Sequence, residues 1–342
     1  MKRKPTIEDV ARAAQVSKGA VSFALNGRPG VSAVTRKRIL AAASELGWSP
    51  SSSARALSTS KSSAVGLVMA RSPELLGADP FFAPFIAGVE SVLAERGHAL
   101  VLQVVREGEA ELAGYRRLAA SERVDGVFLT DLRVDDPRPG LLSQLDLAAV
   151  MVGRPREPAP HPSVVLDDRA GITAAVRHLL DLGHRHIAHV AGPEYFVHGA
   201  DRRQAWSDAL TGAGLVPGPC VVSDFTAAGG AAATVELLAR AERPTAIVYA
   251  NDLMAMAGLP VLAAGGLSVP DDISITGFDD TELVAHLAPP LTTVATNVLG
   301  WGAAAAESLL AVIGGSEPAD VVLPPATLVV RRSTGLATLP AR

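Results

Sequence analysis

The stretch Thr6–Asn26, TIEDVARAAQVSKGAVSFALN, decides how the N-terminal part of this chain folds. Its apolar positions are Ile7, Val10, Ala11 and Ala14, then Val16, then Ala20, Val21, Ala24 and Leu25. The first set and the last recur at three- and four-residue spacing, so each draws one apolar stripe along a short amphipathic helix. Thr6 stands at the N-cap of the first helix, with Asp9 three residues on as an acidic variant of the capping box. Ser17 caps the second, because its side-chain oxygen can accept an orphan amide hydrogen of that first turn. Ala14-Gln15-Val16 leaves room only for a tight turn. Two short helices joined this way form a helix-turn-helix, whose second helix fits the DNA major groove. A helical hairpin that merely packs is the competing reading.

The residues that follow favour DNA. Gly27-Arg28-Pro29-Gly30 breaks the chain, and Ser32 caps a third helix from Ala33 to about Leu46. Val34, Ile39, Ala42, Ala43 and Leu46 on that helix are the residues expected to close a three-helix core. Charge is sorted as well. Ten basic residues stand against three acidic ones through Ser60, a net of +7 where the whole chain carries −4, which leaves −11 for the remainder. A basic module on an acidic body suits a phosphate partner, with association that weakens steeply as salt rises.

TIEDVARAAQVSKGAVSFALNGRPGVSAVTRKRILAAASELGWSPSSSARAL resembles, nearly gap-free, the headpiece and hinge helix of the lac repressor (LacI/GalR) family of bacterial transcription regulators. The resemblance implies that Lys18 and Gly19 at the start of the recognition helix, and Ser22 and Phe23 one turn on, contact bases and backbone. Two positions depart from the family pattern. Phe23 stands where many relatives carry Arg, and Gly19 offers no side chain where others have a polar one; a Phe contact to a thymine methyl is the replacement the chemistry allows. Thr6, Ser17, Asn26, Ser32 and Arg36 are placed for phosphates, which fix register without reading sequence.

At 342 residues the chain is ample for two or three domains with full cores. Arg, Asp, Glu or Pro interrupts each apolar run short of a membrane span, and no apolar core follows the basic Met1-Lys2-Arg3-Lys4, so a cytoplasmic protein is expected. The lone cysteine, Cys220, excludes an intrachain disulfide and reads as a small apolar filler. From Trp48 to Ser63 the chain turns polar and small, as a linker does. Ser51 to Leu57 can still form a short helix when a partner holds it. In the family this hinge helix enters the minor groove as a symmetric pair and a leucine wedges a central base step; Leu57 matches that position and Arg55 neighbours it.

The body alternates strand-like runs with helical patterns. Ala64–Met69, Leu100–Val104, Gly126–Leu129 and Ala148–Val152 form one series, with helices from about Phe82 to Gly97 and near Leu112 to Ser121. A second series is expected to start at Ser163–Leu166, with a helix from Arg169 to Gly183, and to continue through His186–Val190, Ala246–Ala250 and Ser274–Phe278. Such alternation means parallel sheets with helices on both faces. A ligand then belongs in the cleft at the carboxyl ends of the strands. The resemblance extends here through DPFFAPF, LGHRHIAHVAGP, ANDLMAM, GFDD and PPLTTV, and implies a periplasmic-binding-protein-like fold in which the chain crosses between lobes three times.

Asp279 and Asp280 follow one apolar strand, and Asn251 and Asp252 another. Carboxylates and amides at strand ends hold hydroxyls or a charged group in a dry cleft, and Arg202 adds a fork of donors. By resemblance, Arg202, Asn251 and Asp279 match the family's effector-contacting positions. Asp252 and Asp280 serve equally well as caps of the following helices. Sugar-binding relatives often have Asp where this chain has Gly153 in VGRP; the loss of that acceptor either counts against a sugar or shifts the load to Arg154. Phe82 is the member of the Phe81, Phe82, Phe85 group assigned to stacking on a ligand.

Other patterns fail on geometry. His184 and His186 share one face of a strand while His189 takes the other, which is awkward for a common metal. Gly300-x-Gly302-x-x-Ala305 mimics a dinucleotide fingerprint but lacks the preceding strand and the acidic residue that should follow. No nucleophile elbow, P-loop or Cys/His dyad occurs, so neither enzymatic activity nor a cofactor is expected.

The expected architecture is an all-α helix-turn-helix headpiece (1–47), a hinge helix and linker (48–62), and an α/β periplasmic-binding-protein-like effector domain of two doubly wound lobes. The N-terminal lobe takes 63–160 and 291–320, the C-terminal lobe 161–290 and 321–342. The expected function is sequence-specific transcription regulation, as a repressor of carbohydrate-related genes. Its partners are a palindromic DNA operator, a sugar or related metabolite as effector, and a second copy in a homodimer, with no membrane. A dimer is favoured because no heptad tail follows the last strand-like run, Leu328–Arg332. A sugar-binding transport protein, a nicotinamide enzyme and a regulator answering to a non-sugar metabolite are the alternatives.

Overall fold

The structure is a computed structural model that describes residues 5–25, 29–48, 61–71, 77 and 79–337. Three helices open it: α1 (Ile7–Ala13), α2 (Lys18–Leu25) and α3 (Ala33–Glu45). The backbone N–H and hydroxyl of Thr6 both donate to the Asp9 carboxylate, at 2.9 and 2.8 Å. The tight turn is a Schellman closure, with the Val16 amide on the Ala11 carbonyl at 2.9 Å and Gln15 in the left-handed region at φ 51°. Val10, Ala14, Val21 and Ile39 are wholly buried between the three helices, and Val16, Val31 and Trp48 close the margins. Val34 and Leu46 do not join them: Val34 is 78% exposed and Leu46 36%. Both lie at helix ends, where the apolar stripe has already turned toward solvent. Val31, just ahead of the Ser32 cap, packs against the core instead.

The body follows as β1 (Ala64–Ala70), α4 (Phe82–Arg96), β2 (Ala99–Val105), α5 (Glu109–Ala120), β3 (Gly126–Leu129), α6 (Arg138–Gln144), β4 (Ala148–Val152) and β5 (Ser163–Val165). Next come α7 (Asp168–Asp181), β6 (Ile187–Ala191), α8 (Val197–Gly212), β7 (Cys220–Val222), α9 (Ala227–Leu238), β8 (Ala246–Tyr249), α10 (Asp252–Ala264) and β9 (Ser274–Thr276). A 3-10 turn (Glu282–His286), β10 (Thr293–Ala295), α11 (Val298–Ile313), β11 (Val321–Val322) and β12 (Thr327–Val329) complete it. One sheet is six-stranded and parallel, ordered β11-β5-β4-β3-β1-β2; a second is four-stranded and parallel, ordered β7-β6-β8-β9. Each sheet carries an apolar cluster on either face. Such burial on both sides accounts for the unbroken apolar runs. Among the described residues no helix is long and apolar enough to cross a membrane.

Sheet pairing moves the expected division of the chain. Val152 pairs with Val164, so β5 belongs to the first sheet rather than opening the second, and β11 joins the same edge beside it. β10 pairs with β12 and sits against the second unit through bridges from Thr276 to Thr292 and from Asp279 to Ala295. The chain therefore passes between the units at 165–168, 295–298 and 322–327. The proline-rich loop before Ser163 looks like a boundary in the sequence, but it only feeds an edge strand. Gly302, part of the false dinucleotide fingerprint, lets α11 lie backbone to backbone on α4: a Cβ there would sit 2.1 Å from the Phe85 carbonyl oxygen.

Candidate functional site

Two sites emerge. On the headpiece, Lys18, Gly19, Ser22 and Phe23 share the outward side of α2, at the i, i+1, i+4, i+5 spacing of one helix face. The Ser17 hydroxyl oxygen accepts from the Ala20 amide at 3.2 Å, so Ser17 does cap the helix. Lys18 is ion-paired with Glu8 of α1, which lowers the Glu8 carboxyl. Among the described residues Gly19 has only the Ser17 hydroxyl near the place of a Cβ, and Phe23, 41% exposed, lies beside Gly30. Ser32 accepts from the Thr35 amide at 3.2 Å, and Thr6 and Arg36 are half-buried. Asn26, Arg55 and Leu57 lie outside the described residues.

The second site is a cavity of about 370 Å³ between the two sheets, at the carboxyl ends of their strands. Arg154, Arg202, Asn251 and Asp279 all line it. Arg202, on α8, is fully engaged by the protein. Its Nε donates to Asp168 Oδ2 at 2.9 Å with Nη2 ion-paired to the same oxygen at 2.7 Å, its Nη1 donates to the Ala250 carbonyl at 2.7 Å, and its guanidinium lies 3.6 Å from the centroid of the Phe278 ring. Burial raises the Asp168 carboxyl although Arg202 pulls the other way, and Asp168 Oδ1 is buried with no hydrogen-bond partner among the described residues. Asn251 caps α10 by accepting from the Met254 amide at 2.9 Å, and its Nδ2 donates to the Phe225 carbonyl at 2.9 Å. Arg154 stands exposed at the cleft mouth.

Asp279 differs from the rest. Its backbone is in the left-handed region, at φ 118°, a conformation few non-glycine residues adopt. Its carboxyl makes no hydrogen bond among the described residues. Burial pushes it well above the ordinary carboxylate range, against the pull of Arg202 and with the push of Asp252. The two neighbouring acids are taken up in the fold. Asp252 accepts from the Thr293 hydroxyl at 2.5 Å and the Thr281 amide at 2.9 Å, and burial raises it to about 6. Asp280 pairs with Arg331 at 2.6 Å.

Phe82 is not in the cleft. It is 3% exposed and belongs to the core beneath the first sheet, while Phe81 lines the cavity and meets Trp301 edge-to-face at 5.8 Å. Helical spacing turns Phe82 and Phe85 inward together and leaves Phe81, at the helix start, facing the cavity.

The structure adds residues that the sequence reading missed: Arg71, Asp79, Thr130, Asp131, His198 and Trp301. Arg71 forks onto Asp131 at 3.1 and 2.8 Å and lies 3.6 Å from Asp79. Burial alone would raise Asp131; the Arg71 charge and hydrogen bonds hold it below its usual value. His198 stacks between Phe196 and Phe225, at 5.3 Å from each, and burial holds it neutral with a pKa of about 3. Thr130-Asp131 follows the apolar strand GVFL, the same strand-end signal that marks Asn251 and Asp279. Arg71 directly follows the apolar strand AVGLVMA and carries that mark too, whereas His198 and Trp301 carry no local signal of that kind. The three histidines of H-x-H-x-x-H go to separate structural partners: His184 to Thr245, Ser274 and the Gly335 carbonyl, His186 to the Arg243 carbonyl, His189 to the Val248 carbonyl.

A basic helix-turn-helix on a two-sheet body with a cleft defines a class, DNA-binding proteins that carry a small-molecule domain. Comparison with known proteins makes this specific. Residues 6–51 match the model for bacterial regulatory proteins of the lacI family, and residues 176–334 that for the periplasmic binding protein-like domain. The HTH-type transcriptional regulator CelR of Thermobifida fusca is 39% identical over 340 residues, spanning 97% of this chain and 99% of the relative. The solved structure of a transcriptional regulator CelR–cellobiose complex superposes with a TM-score of 0.72 at 36% identity, over 96% of this chain and 99% of that one. A lac repressor dimer bound to operator and the anti-inducer ONPF superposes with a TM-score of 0.86 at 29% identity, over 97% of this chain and 100% of that one. The chain belongs to the lacI family of bacterial regulatory proteins, and it is a DNA-binding transcription regulator.

Proposed function

We propose that this regulator is a repressor that binds a palindromic operator as a homodimer and answers to a carbohydrate held in the cleft. The observation that carries the reading is Asp279, a carboxyl without a hydrogen-bond partner among the described residues, in a cleft where Arg71 and Arg202 are already tied to other carboxylates. Such a group accepts hydrogen bonds from ligand hydroxyls, and in its protonated form also donates one. Arg202 and Asn251, locked by the fold, present preset edges to a ligand, while Arg154 at the mouth guards entry. Phe81 and Trp301 offer apolar faces to a sugar ring. The cellobiose of the CelR complex is the ligand class that supports this choice.

On the DNA side, Lys18, Gly19, Ser22 and Phe23 face the bases and backbone of the major groove, and Thr6, Ser17, Asn26, Ser32 and Arg36 the phosphates. Arg55 and the Leu57 wedge enter the minor groove. The two sheets act as doubly wound lobes whose relative angle changes with effector. That angle decides whether the paired hinge helices form, so ligand and DNA are coupled by differential binding to two states.

A fluorescence-anisotropy titration tests this, using sites selected from a palindromic DNA library at two salt concentrations. Cellobiose, other oligosaccharides, nucleosides and sugar phosphates are added in turn. A selected two-fold site whose affinity shifts with a neutral saccharide is the expected result. Tight binding that responds only to a nucleoside or phosphate overturns the carbohydrate assignment; binding that no compound shifts overturns the switch.

A further inference from the structure

Besides the three passages of the chain, the two α/β units touch through a short piece of paired backbone. The loop after β3 meets the segment that leads into α8. The Val134 amide donates to the Tyr195 carbonyl at 2.9 Å, and the Val197 amide donates to the Leu132 carbonyl at 2.8 Å. Arg133 and Phe196 form an isolated antiparallel bridge between those two bonds. The contact is more than backbone. Val197, at the first position of α8, buries its side chain in the core of the first unit, beside Leu132 and Leu142. The Phe196 ring lies 5.1 Å from the guanidinium carbon of Arg71, a residue of the first unit.

The loop on the first unit is held unusually firmly. Arg138, 2% exposed, donates to Asp136 through Nε and Nη2 at 2.8 and 2.7 Å, to Glu111 through Nη1 at 2.8 Å, and to the Asp131 carbonyl at 2.7 Å. Glu111, wholly buried, reaches on to Arg133 at 2.6 Å. Both ends of the loop are thus tied to one buried guanidinium. A buried charge cluster of this kind costs desolvation and is weak support for stability, but it defines geometry tightly.

We propose that the Arg133–Phe196 bridge is a latch, a fourth and breakable connection that holds the cleft closed before any effector arrives. Glu111, Asp136 and Arg138 are its positioning residues. The proposal rests on the reading of the cleft as the effector site, because Asp131, Leu132, Val197 and His198, which flank the bridge, all line that cavity. Any rotation of one unit away from the other must break two backbone hydrogen bonds and withdraw Val197. The covalent passages can flex, so the latch sets how much of the free protein is already closed, and with it the fraction competent to grip a ligand.

Amide exchange on the full-length protein, with neither ligand nor DNA added, tests the latch apart from the carbohydrate reading. Val197→Pro removes the latch donor at a position that tolerates proline: it is the first residue of α8, where the helix leaves its N–H unused, and Phe196 already has the extended backbone (φ −82°, ψ 134°) that a following proline demands. Val197→Ala keeps the donor and controls for lost packing. In the wild type the Val134 amide is expected to be protected; Val197→Pro should speed its exchange by about tenfold or more while leaving Val127–Leu129 in β3 slow. Val197→Ala should fall between the two. Rapid exchange of Val134 in the wild type, or the same slow exchange in Val197→Pro, overturns the proposal.

A second variant stands if Val197→Pro fails to fold. The bridge is a non-hydrogen-bonded antiparallel pair, whose Cα atoms lie about 4.5 Å apart, within disulfide reach. In a Cys220→Ser background, Arg133→Cys with Phe196→Cys should crosslink on mild oxidation and slow Val134 exchange further. Cysteines that stay reduced under oxidant overturn the latch as well.

Discussion

The recognition face of α2 and the interlobe cleft treat charge in opposite ways. On α2 the polar groups stand in water, and Lys18 leans on Glu8 in an exposed ion pair of the kind that contributes little. In the cleft wall, Arg71 and Arg202 are each tied to a carboxylate and, for Arg202, to a backbone carbonyl as well. The partner explains the contrast. A DNA duplex brings its own rigid array of charge, so the protein needs reachable cations that exchange one counterion for another. A small ligand brings almost no order, and the cleft must supply it in advance.

The largest test of this contrast removes a buried charge from the body. Glu111→Ala leaves Arg133 and Arg138 without their shared carboxylate and should destabilise the fold by about 3–5 kcal/mol in urea denaturation. A loss below about 1 kcal/mol would mean that the cluster is hydrated in solution, as a surface pair is.

Arg202→Ala comes next. It strands Asp168 in a site where burial already raises that carboxyl, and it uncovers the Phe278 face. A stability loss on the order of 2–4 kcal/mol is expected, together with loss of effector response in the anisotropy assay. Retention of full response would show that Arg202 only supports the fold.

Asp279 and Asp252 make the body pH-sensitive. Both carboxyls titrate above the usual range when folded, Asp252 at about 6, so the unfolded chain releases these protons first as pH rises. The folded state then binds more protons than the unfolded one, and stability falls from about pH 4 upward through the raised values. Asp279→Asn should flatten that fall in melting curves between pH 4 and 8. An unchanged slope would place the Asp279 carboxyl in water.

The headpiece changes are smaller. Ser17→Ala removes the α2 cap and should cost about 1 kcal/mol of headpiece stability, read from amide exchange at Ala20 and Val21. Lys18→Gln should leave the fold intact and lower the slope of log affinity against log salt by about one unit. A slope that does not move would mean Lys18 stays on Glu8 when DNA is bound.

Legibility follows the same divide. α1, α2 and α3 are readable within a few residues of their ends, since caps, the tight turn and the three-to-four periodicity are all local. Val34 and Leu46 mislead because helix periodicity does not reveal where a neighbouring helix stops covering a stripe. In the body, the strand-end positions led to Asn251 and Asp279, and Thr130-Asp131 carried the same mark unread. Phe82 and Phe81 are adjacent and chemically alike, so only the registration of α4 on its sheet decides which faces the cleft. Ser163–Val165 reads as a fresh start because a proline-rich loop precedes it, whereas strand pairing with β4 is a non-local event.

The sequence by itself determined the three-helix headpiece, its sorted charge, the alternation that builds parallel sheets and the strand ends at which the cavity lies. Those features rest on interactions between residues a few positions apart. Tertiary structure alone decided the partners: Arg71 with Asp131, Arg138 with Glu111 and Asp136, Phe196 against Arg71, and an Asp279 carboxyl with no hydrogen-bond partner among the described residues. Burial and charge pairing depend on which distant loops meet at a sheet edge, and no local pattern carries that distance. For the same reason the raised carboxyl of Asp279 and the neutral imidazole of His198 belong to the assembled cleft and not to the residues themselves.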